Sequence, residues 1–170
     1  KTKNEDTAAA VKAAEPPAFK PYTITMVRHK VKDFDKWLPL YKAHDSARKA
    51  SDLAEIGIGR GLDNNNEITV AFKTDDLQKA KDFTQSPGLK EAMQKGGVIG
   101  APAISFINVI RDDNSVIEQK DRLMVAHHVK DFDAWLKVFD SEGKEARAAY
   151  GLVDRGLARG IDDPNMVYVL

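Results

Sequence analysis

The apolar positions of residues 22–110 follow two different periods, and each period predicts one kind of secondary structure. Four stretches alternate between apolar and polar residues, which is typical of strands. Two stretches repeat apolar residues every three or four positions, which is typical of helices lying on a sheet. The predicted strands span residues 22–31, 54–62, 67–73 and 101–110, and the predicted helices span residues 35–53 and 75–97, the second broken at residues 86–88. The order is β-α-β-β-α-β, so the predicted fold class is α+β with a ferredoxin-like unit.

The chain repeats itself over a long distance. The phrase Val-Lys-Asp-Phe-Asp-x-Trp-Leu begins two residues after His29 and again two residues after His127. Further matches, such as Arg48 with Arg147, extend the repeat over nearly all of the second half, and a repeat of this length indicates duplicated domains. The second copy stops after β-α-β-β, so we expect it to be incomplete, without its second helix and last strand. The predicted organisation is a linker or tether at residues 1–21, a first repeat at 22–112, a linker at 113–121 and a second repeat at 122–170.

Each copy of the phrase places an Asp-x-Asp pair between a strand and a helix. The four residues are Asp33, Asp35, Asp131 and Asp133. A carboxylate there accepts hydrogen bonds from the free N–H groups of the first helical turn, and a second one is stabilised by the helix dipole. Pro39 is tolerated only near a helix start, so Asp35 is expected to be the cap of the first copy. We interpret the pairs as structural caps, with a metal-binding or acid–base role as the alternative.

Composition narrows the classes of function. The chain has 170 residues, of which 26 are basic and 26 acidic, so the formal net charge is zero. A nucleic-acid-binding protein usually has a basic excess or stripe, so no nucleic acid is expected. The absence of cysteine excludes disulfides and thiolate chemistry. No apolar run approaches the roughly 20 residues of a membrane-spanning helix, so no membrane span is expected.

The first residues predict a tether rather than a folded segment. Residues 1–21 are rich in Ala, Lys, Glu and Pro and have hardly any large apolar side chain, so they cannot bury enough surface to fold. The chain begins with Lys1 instead of Met, as a processed product or a fragment of a longer chain does. We therefore expect an exported protein, either periplasmic or a membrane-tethered lipoprotein, with a cytoplasmic protein as the alternative.

Two motifs carry a resemblance to a known family. They are V-x-H-x-V-x-D-F-D-x-W, beginning at Val27, and F-x-x-S-P-x-L-x-x-A-M-x-x-G-G-V-x-G-x-P, from Phe83 to Pro102. With the β-α-β-β-α-β order, they resemble the dimeric α/β-barrel superfamily, closest to its antibiotic-biosynthesis-monooxygenase-like group, here in tandem. The resemblance implies two four-stranded sheets packed into an intramolecular barrel. Some members of the superfamily oxidise aromatic substrates without a cofactor, some bind or degrade haem, and many have no known activity.

Histidine supplies the main candidates for chemistry. His29 and His127 occupy equivalent strand positions and are expected to face one cavity of a pseudo-symmetric barrel. His44 lies seven residues after Trp37 on the apolar stripe of the first helix, a position suited to a general base or a haem ligand. The candidate catalytic residues are therefore His29, His44, His127 and Trp37, and a structural role is the alternative for each. No ligand spacing such as H-x-x-x-H is present, so no metal site is predicted, and haem is the alternative to having no cofactor.

Two arginines and a tyrosine are candidate ligand-binding residues. Arg60 and Arg159 are equivalent in the two repeats, and either pair with an acid or bind an anionic ligand. In the first repeat, Arg60 is expected to share a strand face with Ile56 and Ile58. Tyr41 lies on the apolar stripe of the first helix.

The sequence leaves two classes of function open. One is the binding or oxidation of a small hydrophobic ligand in a pocket between sheet and helices, as in the monooxygenase-like group. The other is a non-catalytic exported module that acts as a subunit or accessory lipoprotein of a larger complex. The expected partners are accordingly a small hydrophobic molecule or other proteins, and self-association through sheet faces is a further expectation.

Overall fold

A computed structural model describes residues 19–113 and 115–170 of the chain, and its elements follow the predicted order. The first repeat contains β1 (Tyr22–Val31), α1 (Phe34–Ala43), α2 (Asp45–Ala50), β2 (Leu53–Arg60), β3 (Glu67–Thr74), α3 (Leu77–Thr84), α4 (Pro87–Lys95) and β4 (Val98–Asp112). The second repeat contains β5 (Val125–His128), α5 (Phe132–Ala148), β6 (Gly156–Gly160) and β7 (Met166–Val169). Most of the predicted tether, residues 1–18, lies outside the described residues.

The strands form one antiparallel sheet in the order β2-β3-β1-β4-β6-β7-β5. The part β2-β3-β1-β4 is the ferredoxin-like order, which confirms the predicted fold. In the second repeat, β5, β6 and β7 correspond to β1, β2 and β3 and keep the same relative order. The strand β4 pairs with β1 on one side and with β6 on the other, so it joins the two repeats edge to edge.

The sheet curls so that its two ends approach each other. In a flat sheet, six spacings of about 4.8 Å would separate β2 from β5 by about 29 Å. Leu62 lies two residues after β2, yet it lines the same cavity as Val125 and His127 of β5. The strand order and this curl agree with the barrel-type assembly expected for a tandem duplication.

Asp33, rather than Asp35, caps the first helix, which corrects the prediction for this repeat. Asp33 Oδ1 accepts hydrogen bonds from the backbone N–H groups of Asp35 and Lys36, at 3.0 and 3.1 Å. Asp131 caps α5 in the same way, accepting a backbone hydrogen bond from the first turn at 2.8 Å. Asp35 and Asp133 lie within the first turns, where their charge is favoured by the helix dipole.

The prediction that Asp35 is the cap assumed that Pro39 lies near the helix start, but Pro39 lies inside α1. A proline at this position leaves the Asp35 carbonyl without its intrahelical partner. The helix start is held instead by Asp33 and by Asn66, whose Oδ1 accepts a hydrogen bond from the Phe34 N–H at 3.1 Å. These contacts satisfy three of the N–H groups that lack a partner at a helix start, and they place the cap two residues earlier.

The predicted single helix over residues 35–53 is divided into α1 and α2 at His44. In a continuous helix, the Tyr41 carbonyl would accept a hydrogen bond from the backbone N–H of Asp45, four positions later. It accepts one from the Arg48 guanidinium at 2.7 Å and one from the His44 N–H at 3.2 Å. The side chain of Arg48 therefore takes part in ending α1.

A bulge in β2 corrects the predicted face of one isoleucine. The register of β2 with β3 shifts between Glu55 and Gly57, which places an extra residue, Ile56, in the strand. Ile56 is 55% exposed, whereas Ile58 packs on the core of the first repeat. The two isoleucines therefore do not share a face as strict alternation predicted.

The core is larger in the first repeat than in the second. In the first repeat, buried residues of β1, β2 and β3 pack under α1 with Trp37, and Phe83 and Met93 from α3 and α4 add to the packing. In the second repeat, the buried cluster contains Val129, Phe132, Leu157 and Val167. In the described part of the second repeat, α5 covers the sheet and is interrupted by a kink at Gly143, where φ is 74°, as the first repeat is divided between α1 and α2.

Candidate ligand cavities

A small cavity in the first repeat brings together four of the residues predicted from the sequence. We call it the first cavity; its volume is about 70 Å³, and it lies between the sheet, α1 and the α3–α4 pair. His29, Trp37, Tyr41 and His44 all line it. The rest of its wall is mostly apolar and includes Val27, Val70, Phe72, Phe83, Leu89 and Met93. The cavity is well below the roughly 300–1,000 Å³ of ordinary ligand pockets, so only a small molecule fits it.

His29 has an unusual environment within this cavity. Both of its ring nitrogens are buried, and neither has a hydrogen-bond partner among the described residues. The imidazole ring lies 5.5 Å from the Trp37 ring, measured between centroids. Burial lowers the pKa of His29, because the charged form loses its hydration, so the ring is neutral at pH 7. Buried polar atoms are usually paired, so these two nitrogens point to a partner such as a ligand or a water.

Tyr41 is held in place by a carboxylate and by an aromatic stack. Its hydroxyl donates a hydrogen bond to Glu55 Oε2 on β2, and its ring stacks on Trp37 at 4.6 Å. Burial, and secondly the bond to Glu55, raise the pKa of Tyr41 above its usual value, so the phenol stays protonated. Tyr41 thus lines the cavity while its hydroxyl is bonded to Glu55.

Arg48 is a site residue that the sequence reasoning did not select. It also lines the first cavity, it is only 5% exposed, and its guanidinium lies 3.9 Å from the centre of the Tyr41 ring. One terminal nitrogen donates to the Tyr41 carbonyl, and the other lies 3.4 Å from Asp45. Its Nε is buried without a hydrogen-bond partner among the described residues. The recurrence of this arginine as Arg147 was the signal that would have drawn attention to it.

His44 lies at the mouth of the first cavity and is half-buried. It is the residue between α1 and α2, and its ring centroid is 6.0 Å from that of Phe83. A haem does not fit beside it, because a cavity of about 70 Å³ is far smaller than the macrocycle. Within residues 19–113 and 115–170, no group of three or more His, Asp or Glu side chains is placed to hold a metal ion.

The second repeat contains its own, larger cavity. We call it the second cavity; it has a volume of about 600 Å³ and is lined by His127, Trp135, Phe139 and Arg147, the counterparts of His29, Trp37, Tyr41 and Arg48. His127 and His29 therefore line two separate cavities, and the expected shared cavity is not formed. The reason is that the two strands carrying them, β1 and β5, are separated in the sheet by β4, β6 and β7.

The hydroxyl group of Tyr41, which Phe139 lacks, gives Arg48 and Arg147 different hydrogen-bond partners. Arg147 lies 3.9 Å from the centre of the Phe139 ring, as Arg48 does over Tyr41. Phe139 has no hydroxyl, and the acid at the position of Glu55 is Asp154, which forms a two-pronged ion pair with Arg147 at 2.8 and 2.7 Å. In the first repeat, Glu55 accepts a hydrogen bond from the Tyr41 hydroxyl instead of forming an ion pair with Arg48. Arg48 therefore keeps an unpaired Nε in the cavity wall, whereas the Nε of Arg147 is paired.

Arg60 and Arg159 make the same contacts in the two repeats. Each guanidinium lies over a phenylalanine at the helix entry, Arg60 at 3.8 Å from Phe34 and Arg159 at 3.9 Å from Phe132. Each Nε donates to a carbonyl in the turn that follows its own strand, at 2.8 Å. These contacts tie a hairpin to a helix start. A ligand-binding role for Arg60 and Arg159 stays a prediction.

The wider comparisons concern the fold alone. No protein-family model matches the chain, and no curated protein matches it. A protein provisionally described as a monooxygenase, from Lactobacillus acidophilus, is 11% identical with a TM-score of 0.49, over 87% of this chain and 75% of that chain. A dimeric ferredoxin-like protein from an uncultured marine organism is 13% identical with a TM-score of 0.40, over 57% of this chain and 95% of that chain. A conserved protein from Methanosarcina mazei is 16% identical with a TM-score of 0.40, over 50% of this chain and 90% of that chain.

The class of the protein follows from its own strand order. It is a tandem ferredoxin-like α+β protein, with one repeat in the order β-α-β-β-α-β and a second in the order β-α-β-β. In the part of the chain that the structure describes, no helix has the length and apolar character needed to cross a membrane.

Proposed function

We propose that the first cavity binds a small, largely apolar molecule that carries one polar group. The observation that supports this proposal is the pair of unpartnered, buried ring nitrogens of His29 in an otherwise apolar wall. An unpaired buried polar group costs about 1–3 kcal/mol, which a bound partner recovers. A ligand that bonds to His29 therefore gains more than its apolar contacts alone would supply.

The chemistry of the wall narrows the class of ligand. A neutral His29 offers one donor and one acceptor, and Arg48 offers an N–H donor and a positive charge. An engineered cavity of about 150 Å³ takes a benzene, so a cavity of half that volume favours a molecule of a few heavy atoms. The proposed ligand is a short oxygen-bearing molecule, such as an alcohol, a carboxylic acid or a diketone, with its polar end toward His29 and Arg48.

Oxidation of the bound molecule is the finer proposal, in line with the resemblance to the monooxygenase-like group. An acidic CH₂ group of the ligand would give a proton to neutral His29, and its carbon would then react with O₂. One oxygen atom would end in a new C=O group and the other in water, so the ligand itself supplies the electrons. Oxygen uptake with acetylacetone, a small molecule with an acidic CH₂ group, tests this step. Uptake no faster than with heat-denatured protein contradicts oxidation of this compound and leaves binding open.

A titration followed by NMR tests the binding proposal. The ring nitrogens of ¹⁵N-labelled histidines report on isobutanol and isobutyrate, which share a carbon skeleton and differ in charge. We expect saturable shifts at His29 and at His44, which lines the same cavity, with tighter binding of isobutyrate because of Arg48. In His29→Leu, the His44 ring reports on binding, and its shifts should be lost. The matched control is His128→Ala, which removes an exposed histidine paired with Asp163 and leaves the first cavity unchanged. Equal shifts of His44 in the wild type and in His29→Leu contradict the proposal.

A second candidate function, an interaction module, is favoured by a different observation. Val125 and Leu152, which line the second cavity, are 45% and 43% exposed. We call these two residues, together with the second cavity, the open face. Apolar surface of this kind commonly marks a site of protein contact. Export of the protein, a lipid anchor and membership of a larger complex stay predictions.

A further inference from the structure

One edge of the Arg147 guanidinium is occupied by a carboxylate of the protein itself. The Nε and Nη2 atoms of Arg147 donate to the two oxygens of Asp154, at 2.8 and 2.7 Å. The third nitrogen, Nη1, donates to the Phe139 carbonyl at 3.3 Å. Two parallel hydrogen bonds between a guanidinium and a carboxylate form one of the strongest charge-assisted contacts in proteins. The second repeat thus shows how this arginine position binds a carboxylate.

The same edge of Arg48 is largely free in the first repeat. Its Nη1 donates to the Tyr41 carbonyl at 2.7 Å, which repeats the contact of Nη1 in the second repeat. Its Nε has no hydrogen-bond partner among the residues that the structure describes, and its Nη2 lies 3.4 Å from Asp45. The Asp45 carboxylate lies closer to Lys49, at 2.6 Å. The Nε–Nη2 edge is therefore the part of Arg48 that can take another anion.

The burial of Arg48 makes a missing partner costly. The Arg48 side chain is 6% exposed, whereas that of Asp45 is 43% exposed. A buried charge is stabilised when an opposite charge satisfies its hydrogen-bond donors, and it is costly without one. Arg147 and Asp154 meet this condition, because both are largely buried and fully paired. Since Arg48 lines the first cavity, a ligand in that cavity is placed to supply the carboxylate.

The Tyr41 hydroxyl accounts for the acid that Arg48 lacks. Glu55 occupies the position of Asp154, but its carboxylate accepts a hydrogen bond from this hydroxyl. Its side chain is one CH₂ group longer than that of aspartate, so a shorter reach does not explain the difference. The Arg48 guanidinium lies over the face of the same ring, 3.9 Å from its centre. Where Phe139 replaces the tyrosine, the acid pairs with the arginine.

We propose that the Nε–Nη2 edge of Arg48 binds the carboxylate of a small aliphatic acid, and that the Tyr41 hydroxyl keeps this edge free by holding Glu55. The inference rests on the proposed function, because it assigns a chemical class to the ligand of the first cavity. Tyr41 is a positioning residue here, since it sets the preference for an anion through Glu55. Without the hydroxyl, Glu55 takes the place that Asp154 has in the second repeat and competes with the ligand.

Titrations of the wild type and of Tyr41→Phe with isobutyrate and isobutanol, followed at the ¹⁵N-labelled His44 ring, test the selectivity. In the wild type, isobutyrate should bind about tenfold more tightly, as a charge-assisted hydrogen bond allows. In Tyr41→Phe, this preference should be lost, while the affinity for isobutanol should hardly change. Adding Glu55→Gln to Tyr41→Phe should restore the preference, because a neutral amide forms no ion pair. The matched control is Tyr22→Phe, which removes a hydroxyl bonded to Asp112 outside the first cavity and should change neither affinity.

The ratio of the two affinities separates the outcomes. An unchanged ratio in Tyr41→Phe means that Tyr41 has a structural role alone, which overturns the inference and preserves the proposed function. Equal affinities of the wild type for the two compounds also overturn the inference and preserve binding. The absence of saturable shifts with both compounds overturns the proposed function and, with it, the carboxylate site.

A crystal structure of ligand-free Tyr41→Phe tests the positioning role without any ligand. The substitution keeps the aromatic ring that stacks on Trp37, so the variant should fold. We expect the Glu55 carboxylate within about 4 Å of the Arg48 guanidinium, the distance of an ion pair. A Glu55 side chain that stays away from Arg48 in this variant overturns the inference.

Discussion

Truncating two equivalent leucines should have unequal effects on stability, because only one of them is buried. Leu53 is 3% exposed in the first repeat, and Leu152 is 43% exposed in the second. Leu→Ala removes three carbon groups, and at about 0.8 kcal/mol each the transfer loss for a buried leucine is about 2.4 kcal/mol. The residual cavity at Leu53 raises this to about 3 kcal/mol. Leu152 has a little over half of its surface buried, and solvent reaches the vacated space, so its loss should be about 1.4 kcal/mol.

Urea unfolding of Leu53→Ala and Leu152→Ala, followed by circular dichroism, measures the two losses under the same conditions. A gap of about 1.5 kcal/mol between the variants is expected, with equal dependence on urea concentration. Equal losses near 3 kcal/mol would refute the reasoning, since Leu152 would then be buried in solution.

Three further predictions concern the cap, the buried histidine and the arginine over the helix entry. Asp33→Ala should lower the free energy of unfolding by about 1 kcal/mol, and Asp35→Ala by less than about 0.5 kcal/mol. Thermal melts of the two variants measure these losses, and a larger loss for Asp35→Ala than for Asp33→Ala contradicts the assignment of the cap. Burial lowers the pKa of His29 from 6.5, so the unfolded state binds more protons below that pH and stability should fall as the pH drops from about 7 to 5. Urea unfolding of His29→Leu should show a shallower fall, and an unchanged slope would mean that His29 is not the group responsible. Arg60→Ala should cost about 0.5–1 kcal/mol of stability with no change in ligand affinity, whereas lost affinity at unchanged stability would support the ligand-binding role.

Local patterns were sufficient for the elements and the topology of the first repeat. Alternation located β1 and β3 well, and the repeated phrase showed that the second half would reuse the same unit. The apolar stripe that carries Trp37, Tyr41 and His44 was also visible in the sequence, whereas His29 was expected to share a cavity with His127 and lies beside that stripe instead.

The rest depended on contacts that local patterns do not contain. Asp33 and Asp35 are the same residue type two positions apart, and only the contact from distant Asn66 shows where the helix begins. The bulge at Ile56 follows from its pairing with β3 and leaves no mark on the alternation itself. Arg48 was not selected from the sequence, because its burial depends on packing against the Tyr41 ring and on its bond to the Tyr41 carbonyl, which local patterns do not specify.

The shared strand β4 couples the unfolding of the two repeats. β4 is hydrogen-bonded to β1 along one edge and to β6 along the other. Unfolding of the second repeat therefore removes the hydrogen-bond partners from one edge of a strand that belongs to the first repeat. Two copies of a domain linked by a loop can melt one after the other, with two separate heat-absorption peaks. Here the copies should melt in one cooperative step, and a destabilising change in either should lower the single melting temperature of both.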